Sequence, residues 1–393
     1  MLPVRNWSNK HEQKRTNMKL AVYYHLNFGG AKRVVYEQVK GLVQMGHTVD
    51  VYSVNSQDDV FSPKPIASSF HNEILNRGNE GIPFVGRLFT AFNTFFLLRE
   101  LNKRIARQID RKKYDFVIVH PDRLIQAPYL LRFLKTKSIY YCQEPLRIAY
   151  EYSMRLSQEI SLVKRFYESI IRKMMQYEDR INVRSASYTI ASCYHIRERM
   201  IEVYDVMPKV IYPGIDEKVF KPQKNLVKKN QILFVGSTTD QIDGFKYLKR
   251  ALTFIPKKIR PNLHVLSFKN NNNERLSDGE VVALYNSSLL VACMVRLETF
   301  GLAPLEGMAT GIPVIATNIS GHRETIVNNV SGFLVDLDSK EIAEKITYLL
   351  RHKSIHNEMG RKGRGIILKH WTWNKRNLEL EKYLKTLKKK RND

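Results

Sequence analysis

A short apolar run, a turn carrying glycine, an amphipathic stretch and a second short apolar run follow one another near the start of the chain. No other feature constrains the fold as much. MKLAVYYHL (18–26) reads as a buried strand and FGGAK (28–32) as a glycine turn. RVVYEQVKGLVQMG (33–46) reads as an amphipathic helix closed by Gly46, and HTVDVYSV (47–54) as the next strand. Such a unit within about forty residues opens a parallel, doubly wound sheet. DFVIVH (115–120) and SIYYC (138–142) read as further strands of the same sheet.

At 393 residues the chain has room for two α/β domains of ordinary size. Between 147 and 199 it is rich in Arg, Lys, Tyr and Met with helical periodicity, ending near the strand-like SYTIAS; helices over the first domain are expected there. VIYPGIDEKVFKP marks the exit from the first domain. QILFVGS restarts the alternation, followed by HVLSF, LLVACMV, PVIAT and GFLVD. The expected fold class is therefore α/β, with a polar leader at 1–17, an N-terminal Rossmann-like domain at 18–210 and a C-terminal one at 211–372. The basic amphipathic stretch 373–393 is expected to be a helix.

Lys and Arg number 64 against 38 Asp and Glu, a net charge of +26, so the surface carries a strong positive field suited to a polyanionic partner. Nucleic acid, anionic lipid headgroups and diphosphates all fit that field. No aromatic-basic recognition module is evident, so no nucleic acid is expected. Cys142, Cys193 and Cys293 have neither metal-ligand spacing nor an even count, which points to a reducing cytosol. No apolar run approaches the ~20 residues that span a bilayer, and the leader lacks a signal-peptide core. A cytoplasmic chain is expected, with an anionic membrane face as a further partner. IPFVGRLFTAFNTFFLLREL (82–101), dense in aromatics with Arg87 and Arg99 flanking its centre, fits either a membrane-surface helix or a helix of the first core.

The chemistry concentrates in RLETFGLAPLEGMATGIPVIATNISGHRETIVNNVSGFLVD (296–336). Glu298 precedes Phe300 and Gly301, where glycine permits a sharp turn with amides pointing outward, and Pro304 suits the first turn of a following helix. That is an anion-binding helix N-terminus. Glu306 is expected in the first helical turn, so that two carboxylates surround one ligand while amides face its phosphates. Alternatively Glu306 only complements the helix dipole and Glu298 is a surface charge.

The segment closely resembles the E-x(7)-E donor-site signature of retaining GT-B-fold glycosyltransferases of the large glycosyl transferases group 1 family, including the EGMATGIPVIAT continuation. The resemblance extends to the GGA turn, the YYCQEP strand end, YPGIDEKVF, LSDGEVVALYNSS and HWTW. It implies two Rossmann-like domains facing a cleft, with the C-terminal helix crossing back to the first. It also implies that Glu306 is a ribose ligand, that Glu298 contacts the donor sugar, and that the amides of Phe300, Gly301 and Leu302 hold the diphosphate. Gly29 and Gly30 fall where the resemblance places the cleft; a lone glycine pair is otherwise an ordinary turn.

Two departures stand out. Gln143 in YYCQEP occupies a position where related sequences often carry histidine, and glutamine hydrogen-bonds without titrating. The family reaction is usually described as front-face displacement, in which the leaving diphosphate takes the acceptor proton, so Gln143 leaves catalysis open. After Gly236, Ser237 and Asp243 stand where the family commonly shows cations. Lys246, Lys249 and Arg250 are candidate substitutes, Lys246 first, against the alternative of a solvated helix face. Lys32 and Arg33 add charge near the glycine turn. Arg147 is a candidate for an anionic acceptor or for a salt bridge with Glu144 or Glu151. His25 and His120 are candidates for the cleft edge or structural histidines.

These residues lead to one expectation. A hexosyl unit passes from a GDP- or UDP-sugar to a glycan or lipid-linked acceptor with retention, without metal or cofactor, in cell-surface glycan or glycolipid assembly. The alternative is a catalytically silent homologue that binds a sugar nucleotide or glycan and scaffolds a membrane assembly. The nucleoside base would be read by loops such as 269–274.

Overall fold

The computed structural model describes residues 17–75, 85–151, 162–238, 244–267, 276–296 and 298–392. The leader before 17, residues 82–84, Asp243 and the loop 269–274 lie outside them.

The first half runs β1 (Lys19–His25), α1 (Gly30–Gln44), β2 (Thr48–Val54), β3 (Ser69–Glu73), α2 (Val85–Arg111), β4 (Phe116–Asp122), α3 (Leu130–Phe133), β5 (Ser138–Cys142), α4 (Arg147–Tyr150), α5 (Leu162–Arg184), β6 (Tyr188–Ala191), α6 (Tyr194–Tyr204) and β7 (Lys209–Val210). The second runs β8 (Gln231–Val235), α7 (Phe245–Phe254), β9 (Asn262–Leu266), α8 (Asp278–Ser287), β10 (Leu290–Cys293), α9 (Leu302–Ala309), β11 (Val314–Thr317), α10 (Ser320–Thr325), β12 (Gly332–Val335), α11 (Ser339–Arg351), α12 (Lys353–His370) and α13 (Trp373–Asn392).

The strands form a seven-stranded sheet in the order β3-β2-β1-β4-β5-β6-β7 and a five-stranded sheet in the order β12-β11-β10-β8-β9, all neighbours parallel. Each order reverses once, between β1 and β4 and between β8 and β10. Beyond the carboxyl ends of such strand pairs, doubly wound sheets open a crevice for ligands. Because parallel strands are covered on both faces, β4, β5 and β10 are buried along their whole length, which explains the apolar runs SIYYC of β5, LVAC of β10 and FVIV at the start of β4.

Helix α13 crosses back to the first sheet. Trp373, Leu380, Leu384 and Leu387 recur on one face and pack with Val34, Val35 and Val39 of α1 and Leu20 and Val22 of β1. Asn377 of α13 donates to the Glu37 carbonyl of α1, and a Cβ on Gly41 would meet that amide at 2.0 Å, so only glycine admits this helix contact. At the start of α13 Tyr212, Phe300 and Trp371 cluster with ring centroids 5.0 to 5.8 Å apart and join the two halves. Aromatic pairs at this spacing contribute about 0.5–1.5 kcal/mol each beyond area burial. Among the described residues no helix is long and apolar enough to cross a membrane.

Candidate functional site: a cleft between two sheet edges

A cleft of about 520 Å³ opens at both switch points. From the first sheet it is lined by the β1 turn (Leu26 to Ala31), the end of β4 (Pro121 to Arg123), Gln126, Gln143 and Glu144; from the second, by Glu298 to Leu302. It brings together Gly29, Gly30, Gln143, Glu298, Phe300, Gly301 and Leu302, which lie as much as 273 positions apart in the chain.

Helix α1 starts at Gly30, earlier than the sequence reading placed it, with Gly29 as its N-cap at φ 150° and no side-chain cap. Its open N-terminus therefore faces the cleft as a set of amide donors. Helix α9 faces it from the other side. Gly301 is its N-cap at φ +85°, and a Cβ there would stand 2.8 Å from the His322 ring. His322 is fully buried; its Nδ1 donates to the Thr317 carbonyl at 3.0 Å, which leaves Nε2 bare beneath the loop. Burial lowers its pKa, so the neutral ring is favoured.

Glu298 turns its carboxylate onto its own loop, accepting from the amides of Thr299 (3.0 Å) and Phe300 (3.4 Å). The Phe300 amide, expected to face diphosphate, is thus held by Glu298 here, and the Phe300 ring is buried in the aromatic cluster. Glu306 sits fifth in α9, past the first turn where it was expected. Its Oε1 accepts from Arg33 at 2.9 Å and its Oε2 from the Tyr285 hydroxyl at 2.7 Å. Burial raises its pKa above the usual carboxylate range, while Arg33 and Tyr285 pull it back.

Other expectations are revised. His120 lies inside β4, because that strand runs on to Asp122; it is fully buried against Tyr141, and burial pushes it down to about 3. It is a neutral core histidine rather than a cleft-edge group. Lys32 is buried and held by Asp59 (2.7 Å) and the Gln57 carbonyl, so neither it nor Arg33 presents a free cation to the glycine turn. Arg147 pairs with Glu144 at 2.5 Å and lines a smaller adjoining hollow with Glu151, His195, Arg199 and Glu298. Lys246 is exposed on α7, its ammonium 5.3 Å from the Tyr247 ring, where Arg296 also packs. Gly236 follows β8 at φ 152°, and Ser237 beside it is buried. His25 pairs with Asp122 at 2.7 Å across the break in the β1–β4 register.

Four partners escaped the sequence reading. Asp122 and Arg123 line the cleft because β4 outruns its apolar segment. Tyr285, in the quoted LYNSS, holds Glu306. Glu324 of α10 caps α6 across the domain boundary, accepting from the amides of Tyr194 and His195 and from the Tyr212 hydroxyl at 2.7 to 2.9 Å. Among the described residues no group of three His, Cys, Asp or Glu is placed to hold a metal ion.

The family model described as glycosyl transferases group 1 matches residues 273–365, which include the cleft loop and α9, and the one described as glycosyltransferase family 4 matches 28–219. The chain belongs to the glycosyl transferases group 1 family. This glycosyltransferase is 25% identical over 414 residues to the trehalose synthase of Pyrococcus horikoshii, covering 96% of this chain and 92% of that one. It is 24% identical over 397 residues to the alpha-1,3/1,6-mannosyltransferase ALG2 of Homo sapiens, covering 88% and 90%. In fold it matches sucrose-phosphate synthase of Thermosynechococcus elongatus with TM-score 0.70 at 14% identity, over 94% and 99% of the two chains. It matches Anabaena HepE, solved with UDP and glucose, with TM-score 0.66 at 16% identity over 94% and 100%. The architecture is the GT-B fold.

Proposed function

We propose that this glycosyltransferase moves a hexosyl unit from a GDP- or UDP-sugar to a hydroxyl of a glycan or lipid-linked acceptor, with retention of anomeric configuration. The observation that carries this reading is the cleft itself, with the open N-terminus of α1 on one wall and the Glu298–Leu302 loop leading into α9 on the other. Amide donors stabilise a leaving diphosphate, and carboxylates accept from sugar hydroxyls. The bond from the anomeric carbon to phosphate oxygen breaks, the acceptor oxygen bonds to that carbon on the same face, and the acceptor proton passes to the departing phosphate. Gln143, whose Nε2 donates to the Ala31 carbonyl at 3.1 Å, is then a polar wall for the sugar rather than a base. Relatives named as a trehalose synthase and a mannosyltransferase, and a neighbour holding UDP and glucose, support a hexosyl donor.

In this reading no metal is needed, because the two helix N-termini and Arg123, which lines the cleft, neutralise the diphosphate. The protein works at the cytoplasmic face of a membrane in cell-surface glycan or glycolipid assembly, and the exposed apolar stripe on α5 supports contact with anionic lipid. The test is a thermal-shift and turnover screen across GDP- and UDP-sugars, with the anomer of the product read by NMR and turnover repeated in EDTA. Retained configuration and undiminished turnover in chelator are expected, with donor binding lost in Glu306→Ala. An inverted product, a strict need for added divalent ion, or undiminished donor binding in Glu306→Ala overturns the corresponding part. A second reading, a silent sugar-nucleotide or glycan binder that scaffolds a membrane assembly, is favoured by the engagement of both Glu306 oxygens and by buried Ser237. Any transfer or donor hydrolysis by the wild-type chain removes it.

A further inference from the structure

Arg33 and Glu306 are 273 positions apart and belong to different domains, yet Arg33 Nη1 lies 2.9 Å from Glu306 Oε1 with both side chains about nine-tenths buried, at 10% and 9% exposure. The guanidinium carbon lies 4.9 Å from the centre of the Phe220 ring and 5.5 Å from that of Phe61, both within cation–π reach. Phe61 is itself stacked on Phe28 of the glycine turn. The helix starts touch as well, since a Cβ on Gly30 of α1 would stand 3.3 Å from Leu302 at the start of α9.

Among the described residues no cation of the second domain is in hydrogen-bond contact with Glu306; its other oxygen takes the neutral Tyr285 hydroxyl. Burial, and to a smaller extent the Asp278 carboxylate of α8, favours the protonated acid, while Arg33 and the Tyr285 hydroxyl oppose it. A protonated carboxyl loses acceptor capacity toward a diol, and an ionised one left buried without its partner is costly. We infer that Arg33 of the first domain is the positioning residue that keeps Glu306 of the second ionised and oriented for the nucleotide, so that the donor site is complete only when the domains are together. This inference rests on the reading that Glu306 holds the donor.

The probes are UDP and GDP, and the measurement is their dissociation constant between pH 5.5 and 8.5 for wild type, Arg33→Met, Arg33→Lys and Glu306→Ala. Arg33→Met should weaken binding at pH 6 by about tenfold or more, approaching wild type as pH rises and the unpaired carboxyl ionises. Its acid limb should move to higher pH. Arg33→Lys should bring the limb most of the way back. A limb in Arg33→Met that coincides with wild type, or an equal loss at every pH that lysine does not repair, overturns the role of Arg33. If Arg33→Met fails to fold, Arg33→Gln takes its place: a limb displaced to higher pH is expected, and a limb that coincides with wild type overturns the inference. Binding unchanged in Glu306→Ala, or no nucleotide bound by wild type, overturns the parent reading instead.

Discussion

The Cβ that alanine would add at Gly301 would stand 2.8 Å from Cδ2 of the His322 ring and 3.0 Å from Nε2. The ring cannot retreat, because it is buried and its Nδ1 is tied to the Thr317 carbonyl. The backbone at Gly301 is also left-handed, at φ +85°, which costs a residue with a Cβ roughly 1–2 kcal/mol. Relief therefore has to come from the loop that faces the cleft.

Gly301→Ala should weaken nucleoside diphosphate binding about tenfold or more, since each 1.4 kcal/mol of displaced loop is one decade, and should lower the melting temperature by a few degrees. Titration calorimetry with UDP and GDP beside a thermal melt checks both. Wild-type affinity in Gly301→Ala would mean that the α9 N-terminus is not where the phosphate sits.

How much of this was legible in the sequence follows from where each interaction is made. β5 at Ser138–Cys142 and the cores of β1, β8 and β11 are buried strands whose apolar runs announce them. β3 (Ser69–Glu73) is half-exposed at the sheet edge; SFHNE carries no apolar run, and pairing with β2 makes it a strand. The loop from Glu298 to Leu302 was readable because glycine, proline and two carboxylates each do local mechanical work. The Arg33–Glu306 and Glu324–Tyr212 contacts join distant segments across two domains, and nothing local in the sequence marks them. His120 misled because an apolar run ending in histidine looks like a strand end, whereas β4 continues through Pro121 to Asp122.

Asp179 on α5 supplies a pH dependence of stability. It is buried, accepts from the Tyr204 hydroxyl at 2.6 Å and the Ala127 amide at 3.1 Å, and burial pushes it up to about 7 from 3.8. The folded chain therefore holds a proton that the unfolded chain has lost between those two values. Stability falls across that window as pH rises, by at most about 1.4 kcal/mol per unit from this group. The cost is complete above pH 7 and absent below 3.8. Asp179→Asn removes the titration, so its melting temperature relative to wild type should be higher at pH 8 than at pH 5. The same offset at both pH values would show that the carboxyl ionises normally in the fold.

Phe166, Ile170 and Tyr177 recur at helical spacing along α5 and are 70%, 51% and 65% exposed, with exposed Lys173 among them. Phe96 on α2 is 56% exposed, and Phe95 of α2 shares an apolar hollow with Met174 of α5. A solvated helix face gains nothing from such a stripe; in the membrane contact proposed above, a chain of net charge +26 would be drawn to anionic lipid, its rings entering the interface and lysine meeting headgroups. The wild-type chain should sediment with phosphatidylglycerol vesicles and not with phosphatidylcholine alone, less so as salt rises. Phe166→Ser with Ile170→Ser should weaken that binding by on the order of a hundredfold or more, from two side chains of about 1.5–3 kcal/mol each, while nucleotide binding, made at the cleft, stays at its wild-type value. Equal sedimentation of the double variant and the wild type would remove α5 as the contact.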